Sequence, residues 1–210
     1  PCPEEGCPPP VDSKIEATWG CVLSDQTQCA FTPQQERIGD TYWNSSAVDG
    51  YTFPFKVSVS GNTITDSAQP CSEVDCEDLS VDECPTAENL SEGEGGSQFP
   101  EYESEDLRVR KSANDPVIGC YSPCKKFNYP TFAGLDLDED ADPPVIYCCP
   151  TPPISADECR AGPVVATEYV SSVHSMCNNS VYTYAYDDAI GLRHCSANTK
   201  VHMTIGPNCP

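Results

Sequence analysis

The residues best equipped for chemistry in this chain are its 15 cysteines, since a thiolate can ligate a metal, attack an electrophile or pair as a disulfide. They fall at positions 2, 7, 21, 29, 71, 76, 84, 120, 124, 148, 149, 159, 177, 195 and 209. No C-x2-C pair occurs, and His174, His194 and His202 have no zinc-finger spacing, which argues against structural zinc. Cysteine at this density points to an oxidising compartment and a disulfide scaffold, and the odd count leaves at least one thiol without a partner in the chain. Other chemistry is sparse. The run D-L-D-E-D-A-D, Asp136 to Asp142, alternates carboxylates but lacks the glycine and the distal glutamate of a calcium loop. No nucleophile elbow surrounds any serine, and no phosphate-cradling glycine motif occurs. No metal and no cofactor is implied. Asn44, Asn89 and Asn178 each open an N-x-S sequon for glycosylation.

The elements that must position such groups are short. Against 11 Lys and Arg stand 33 Asp and Glu, a formal charge of −22, which repels phosphate backbones and anionic lipid, so nucleic acid is excluded as a partner. No stretch approaches the roughly 18 apolar residues that a helical membrane crossing needs, so no membrane insertion is expected. The chain reads as secreted, extracellular or cell-surface. Tyr51 to Ile64 alternates apolar and polar residues as a half-buried strand does, with Gly61-Asn62 as its hairpin turn. Val181 to Tyr186 and Lys200 to Ile205 repeat that pattern, and the basic island Arg108 to Lys111 reads either as a target for processing proteases or as strand. One helix is expected over Pro163 to Met176, on Val165, Tyr169 and Val173. The acidic segments Thr86 to Asp106 and Leu135 to Asp142 read as solvated loops. Tyr42, Trp43 and Tyr51 suit either sugar stacking or a core.

The spacing C-x4-C-x7-C from Cys71, then G-C-Y-S-P-C, Y-C-C-P, Y-T-Y-A-Y-D-D, a terminal N-C-P and D-T-Y-W-N-S-S-A-V-D-G-Y across Asp40 to Tyr51, resembles the thaumatin-like (pathogenesis-related) proteins. The resemblance implies a mainly β fold, a β-sandwich with a disulfide-rich loop region carrying one short helix. Residues 1–77 and 178–210 would form the sandwich, with a short disulfide loop at the start, and 78–177 the Cys-rich region. It implies disulfides between Cys71 and Cys195, Cys76 and Cys177, Cys84 and Cys120, Cys124 and Cys148, and Cys149 and Cys159. Cys2 and Cys7 look like the family's short bridge; Cys21 and Cys29 would close an added loop. Cys209 is left unpaired, because its family partner lies in N-terminal strands with no counterpart here, so a cleaved N-terminal fragment or a neighbouring subunit is expected to cover that edge. The family's acidic cleft binds β-1,3-glucan or hydrolyses it weakly, in defence or at the cell wall. Matched onto it, Glu16 takes the glutamate position, Asp49 one aspartate and Asp187 or Asp188 another. Asn44 stands where the family usually has an aspartate, and the family's arginine has no counterpart. Three readings follow: an acidic-cleft polysaccharide binder; a structural subunit of an extracellular assembly; and an endo-β-1,3-glucanase with Glu16 and Asp49 as its carboxylates.

Overall fold

The computed structural model describes residue 11 and residues 13–20, 39–64 and 68–206; Cys2, Cys7, Cys21, Cys29 and Cys209 lie outside these residues. Among the described residues nine short strands form three antiparallel sheets of three strands each. In the first, β1 (Lys14–Thr18) pairs with β2 (Asp40–Ser46), which pairs with β8 (Leu192–Ser196). In the second, β3 (Gly50–Tyr51) and β6 (Arg108–Val109) flank β7 (Gly119–Tyr121). In the third, β4 (Phe55–Ser60) lies between β5 (Val74–Cys76) and β9 (Lys200–Ile205).

Period-2 alternation explains these strands. Phe55 and Val57 of β4 are buried while Lys56 and Ser58 are half-buried, and Val57 lies opposite Val74 in the neighbouring strand. In β2 the core takes Thr41, Trp43 and Ser45, so Tyr42, Asn44 and Ser46 share the opposite face. Trp43 donates its indole N–H to Cys195 Sγ at 3.2 Å, which seats the first sheet on the sulfur core.

Five disulfides close: Cys71–Cys195, Cys76–Cys177, Cys84–Cys120, Cys124–Cys148 and Cys149–Cys159. These are the pairs that the resemblance implies. The first two span 124 and 101 residues, and each removes about 5 kcal/mol of unfolded-chain entropy in the simple loop model. These long loops tie residues 71–76 covalently to residues 177–195.

Several local expectations give way to the structure. Gly61-Asn62 is not a two-residue hairpin: β4 reaches its neighbour β5 only at Val74, and the Asn62 side chain instead accepts from Ile64 N and Ser196 N, tying the turn to β8. Val181 to Tyr186 is not a strand. The Asp187 carboxylate takes both the N–H and the hydroxyl of Thr183, and Tyr186 adopts φ 69°, so the chain bends after one bridge between Ser46 and Tyr182.

The single helix expected over Pro163 to Met176 is two pieces. A 3-10 turn, Pro163–Ala166, ends at Thr167, whose hydroxyl accepts from Val170 N to cap the separate helix Glu168–Met176. Nor is it alone: the described helices are α1 (Pro123–Asn128), α2 (Val145–Cys148), α3 (Ala156–Ala161), α4 (Glu168–Met176) and α5 (Asp188–Gly191). All are shorter than ten residues, and apart from α4, where Tyr169 and Val173 keep helical spacing, periodicity does not reveal them. Their signals are caps, such as the Ser155–Glu158 capping box of α3 and Ser122-Pro123 ahead of α1. The acidic stretch Thr86 to Asp106 is folded rather than loose, pinned by backbone bridges between Glu88 and Glu105 and between Glu92 and Gln98, with Leu90 buried.

Candidate functional site

The site is built on the face of the first sheet that the core leaves free. Register places Glu16 opposite Asn44, Asn44 opposite Leu192, Thr18 opposite Tyr42 and Tyr42 opposite His194. Asn44 Nδ2 donates to Glu16 Oε2 at 3.3 Å. One residue pair further along, Lys14 lies opposite Ser46, and its ammonium pairs with Asp49, which follows the turn at the end of β2. Lys125 of α1 approaches the same carboxylate at 3.8 Å.

Asp188 opens α5 on the adjoining side. Its Oδ1 accepts from the Tyr182 hydroxyl at 2.5 Å, and its Oδ2 accepts from Arg160 of α3 at 2.8 Å. Burial, and then the Asp188 carboxylate, push the Tyr182 hydroxyl far above the ordinary tyrosine value, with Glu16 adding to the rise. Tyr182 therefore stays a donor. Helices α1 and α3 thus supply two cations, Lys125 and Arg160, to carboxylates of other elements.

Asp187 does not share this surface. It is 3% exposed, its carboxylate accepts from Thr183 N and Thr183 Oγ1, and His174 Nε2 of α4 lies 2.9 Å away. It braces the bend before α5, so of the two aspartates in Y-D-D it is Asp188 that reaches the surface, with a half-exposed side chain. The aromatic residues also separate. Trp43 and Tyr51 are core, each 1% exposed. Tyr42 is exposed and stacks on His194, ring centroids 4.5 Å apart and planes within 3°, while His194 Nε2 lies 2.8 Å from Asp40 Oδ2.

Sequence reasoning missed Lys14, Lys125, Arg160, Tyr182 and His194. Only Lys14 had a local signal: it precedes Glu16 by two on one strand, so both point to the same face. Lys125 and Arg160 reach the site only through the docking of α1 and α3. Their placement gives two of the acidic groups, Asp49 and Asp188, cationic partners from distant elements.

Other hollows lie apart from this face. One of about 420 Å3 is lined by Glu88, Asn89, Tyr147 and Thr167 among others, and one of about 290 Å3 by Asp75, Asn178, Ser180 and Arg193 among others. Glu88 accepts from Glu168 N and Tyr169 N and so caps α4. Among the described residues no three His, Cys, Asp or Glu are grouped to hold a metal, and no helix is long and apolar enough to cross a membrane.

Three antiparallel sheets, a Cys-rich region held by long disulfides and a carboxylate-bearing face between them define a disulfide-stapled β-rich protein of the thaumatin type. The chain belongs to the Thaumatin family, whose model matches residues 11–207. It is 25% identical over 169 residues to a Prunus avium protein named Glucan endo-1,3-beta-glucosidase, covering 80% of this chain and 50% of that one. It is 27% identical over 169 residues to Thaumatin-like protein 2 of Prunus persica, with 80% and 51% covered, and to Thaumatin-like protein 1b of Malus domestica, with 80% and 58% covered. The chain thus spans about half the length of the curated relatives it matches.

Proposed function

We propose that this protein is a secreted thaumatin-family protein that binds β-1,3-glucan, or a related wall polysaccharide, on the face lined by Glu16, Asn44, Asp49 and Asp188. The observation that carries the reading is the mixture of groups gathered there: acceptors at Glu16, Asp49 and Asp188, donors at Lys14, Lys125, Arg160 and Tyr182, and the exposed ring of Tyr42 beside them. Sugar hydroxyls both donate and accept, and a sugar's C–H face stacks on an aromatic ring, so a polyol fits such a surface better than an ion of either sign. The glucanase name of the Prunus avium relative supports the ligand class. Five disulfides support an oxidising compartment.

Binding fits the geometry better than hydrolysis. Glycoside cleavage needs one carboxyl to protonate the leaving oxygen and a second to act as base or nucleophile. Beside Glu16 stands the Asn44 amide, and Asp187 is turned inward. In a sedimentation assay with insoluble β-1,3-glucan the protein is retained, and Asp49→Ala lowers retention at least several-fold. No retention, or retention indifferent to Asp49→Ala, refutes the reading. Release of reducing ends from soluble glucan, abolished by Glu16→Gln, would instead establish the endo-glucanase.

A second reading, a structural subunit of an extracellular assembly, draws on exposed apolar side chains. Ile15 in β1, Trp19 just beyond it and Phe53 ahead of β4 are exposed, and exposed apolar side chains suit contact with another chain. Sizing of the native protein, with and without reductant, separates a monomer from an assembly and reports whether Cys209 bonds a partner.

A further inference from the structure

Three sequons, at Asn44, Asn89 and Asn178, are equivalent in sequence, and the fold makes them unequal. A glycan is linked through the asparagine Nδ2, so the folded protein tolerates one only where that nitrogen faces solvent with room beside it. We infer that the chain carries N-linked glycans at Asn89 and Asn178 and none at Asn44.

Asn44 lies in the central strand of its sheet, with β1 on one side and β8 on the other, between the buried Trp43 and Ser45. Its Nδ2 is already committed to Glu16 Oε2 at 3.3 Å, and its Oδ1 is enclosed with no hydrogen-bond partner. A sugar on Nδ2 would break the Glu16 contact and cover the proposed ligand face.

Asn89 is exposed. Its Oδ1 accepts from both Ser91 N at 3.0 Å and Ser91 Oγ at 2.7 Å, which fixes the amide plane by its oxygen and turns Nδ2 to the opposite side. Asn89 also borders the 420 Å3 hollow, beside Pro163 and Ala166. Asn178 is exposed at φ 52°, one residue beyond Cys177, whose disulfide to Cys76 anchors the turn. The Ser180 hydroxyl donates back to Cys177 O, which closes the sequon into a tight bend with Asn178 at its tip. Asn178 borders the 290 Å3 hollow with Ile190 and Arg193. Each of these asparagines therefore has open volume at its flank for a first N-acetylglucosamine, and neither side chain holds the sheet together.

The inference rests on passage through a secretory pathway, and the test supplies that route so that it stands apart from glucan binding. The full chain is secreted from a eukaryotic cell behind a cleavable leader, and the fraction without titratable thiols at the five bridges is treated with peptide N-glycosidase in heavy-oxygen water, then mapped by peptide mass. Heavy-oxygen aspartate at positions 89 and 178, with unchanged Asn44, is the expected result; Asn89→Gln and Asn178→Gln each remove one glycan from the intact mass. Label at Asn44 in the disulfide-complete protein, or no label at either Asn89 or Asn178, overturns it. Where a variant fails to be secreted, the wild-type peptide map decides alone.

Discussion

A buried carboxylate shows how one side chain's surroundings set its behaviour. Glu88 is 4% exposed, yet its two oxygens take the first free N–H groups of α4. Burial raises its carboxyl above the usual range, and the amide bonds pull it back only in part. A folded value above the unfolded 4.5 means that this group's contribution to stability is complete below pH 4.5 and is lost as pH rises through the folded value. Urea unfolding of wild type and Glu88→Gln should therefore show the wild type losing ground to the variant as pH rises above 4.5; a gap that does not change with pH would refute it. Glu88→Ala, which leaves both amides without acceptors in a buried place, should cost about 1–3 kcal/mol at any pH. Burial likewise pushes the Tyr147 hydroxyl up to about 12, so neither group bordering the 420 Å3 hollow behaves as it would in water.

Elements here are held by their ends more than by their faces. α4 is nine residues long, too short to be stable alone, and its start is fixed by the Thr167 hydroxyl together with Glu88. Thr167→Ala should lower stability by about 1 kcal/mol, read as a shift in the urea midpoint at unchanged slope. The same threonine is why apolar periodicity over Pro163 to Met176 overstated the helix: Val165, Tyr169 and Val173 keep helical spacing, but Thr167 at ψ 150° breaks the helix between the first and the second of them. Strands with an alternating face, β4 and β9, were legible in the sequence. The bend after Val181 was not, because it depends on the Asp187 carboxylate competing for Thr183.

At the scale of the whole molecule, covalent closure reinforces one continuous core, in which Cys76, Cys84, Cys120, Cys149, Cys159, Cys177 and Cys195 pack among the buried apolar side chains. Replacing Cys71 and Cys195 together by serine should cost about 4–5 kcal/mol in the loop-entropy account, measured by denaturant unfolding under non-reducing conditions; a loss below 1 kcal/mol would show that the sheets hold the ends together unaided. The same closure builds the site. β8 lies beside β2 although about 150 residues separate them in the chain, and the Cys-rich helices α1 and α3 are thereby brought to Asp49 and Asp188. If the proposed glucan surface depends on that docking, Arg160→Ala should weaken glucan retention while leaving the five disulfides intact, a split that peptide mapping beside the sedimentation assay reads directly.

Through its resemblance to the thaumatin-like proteins the sequence already implied the family and the five sulfur pairs within the described residues, because motif spacing is a local pattern that survives in one dimension. Tertiary structure alone decided that Asp188 rather than Asp187 faces outward, that Lys125 and Arg160 neutralise carboxylates from distant elements, and that Tyr42 rather than Trp43 or Tyr51 meets solvent. The physical reason is the same in each case: burial and charge pairing depend on distances between elements, and those distances exist only once the chain has closed on itself.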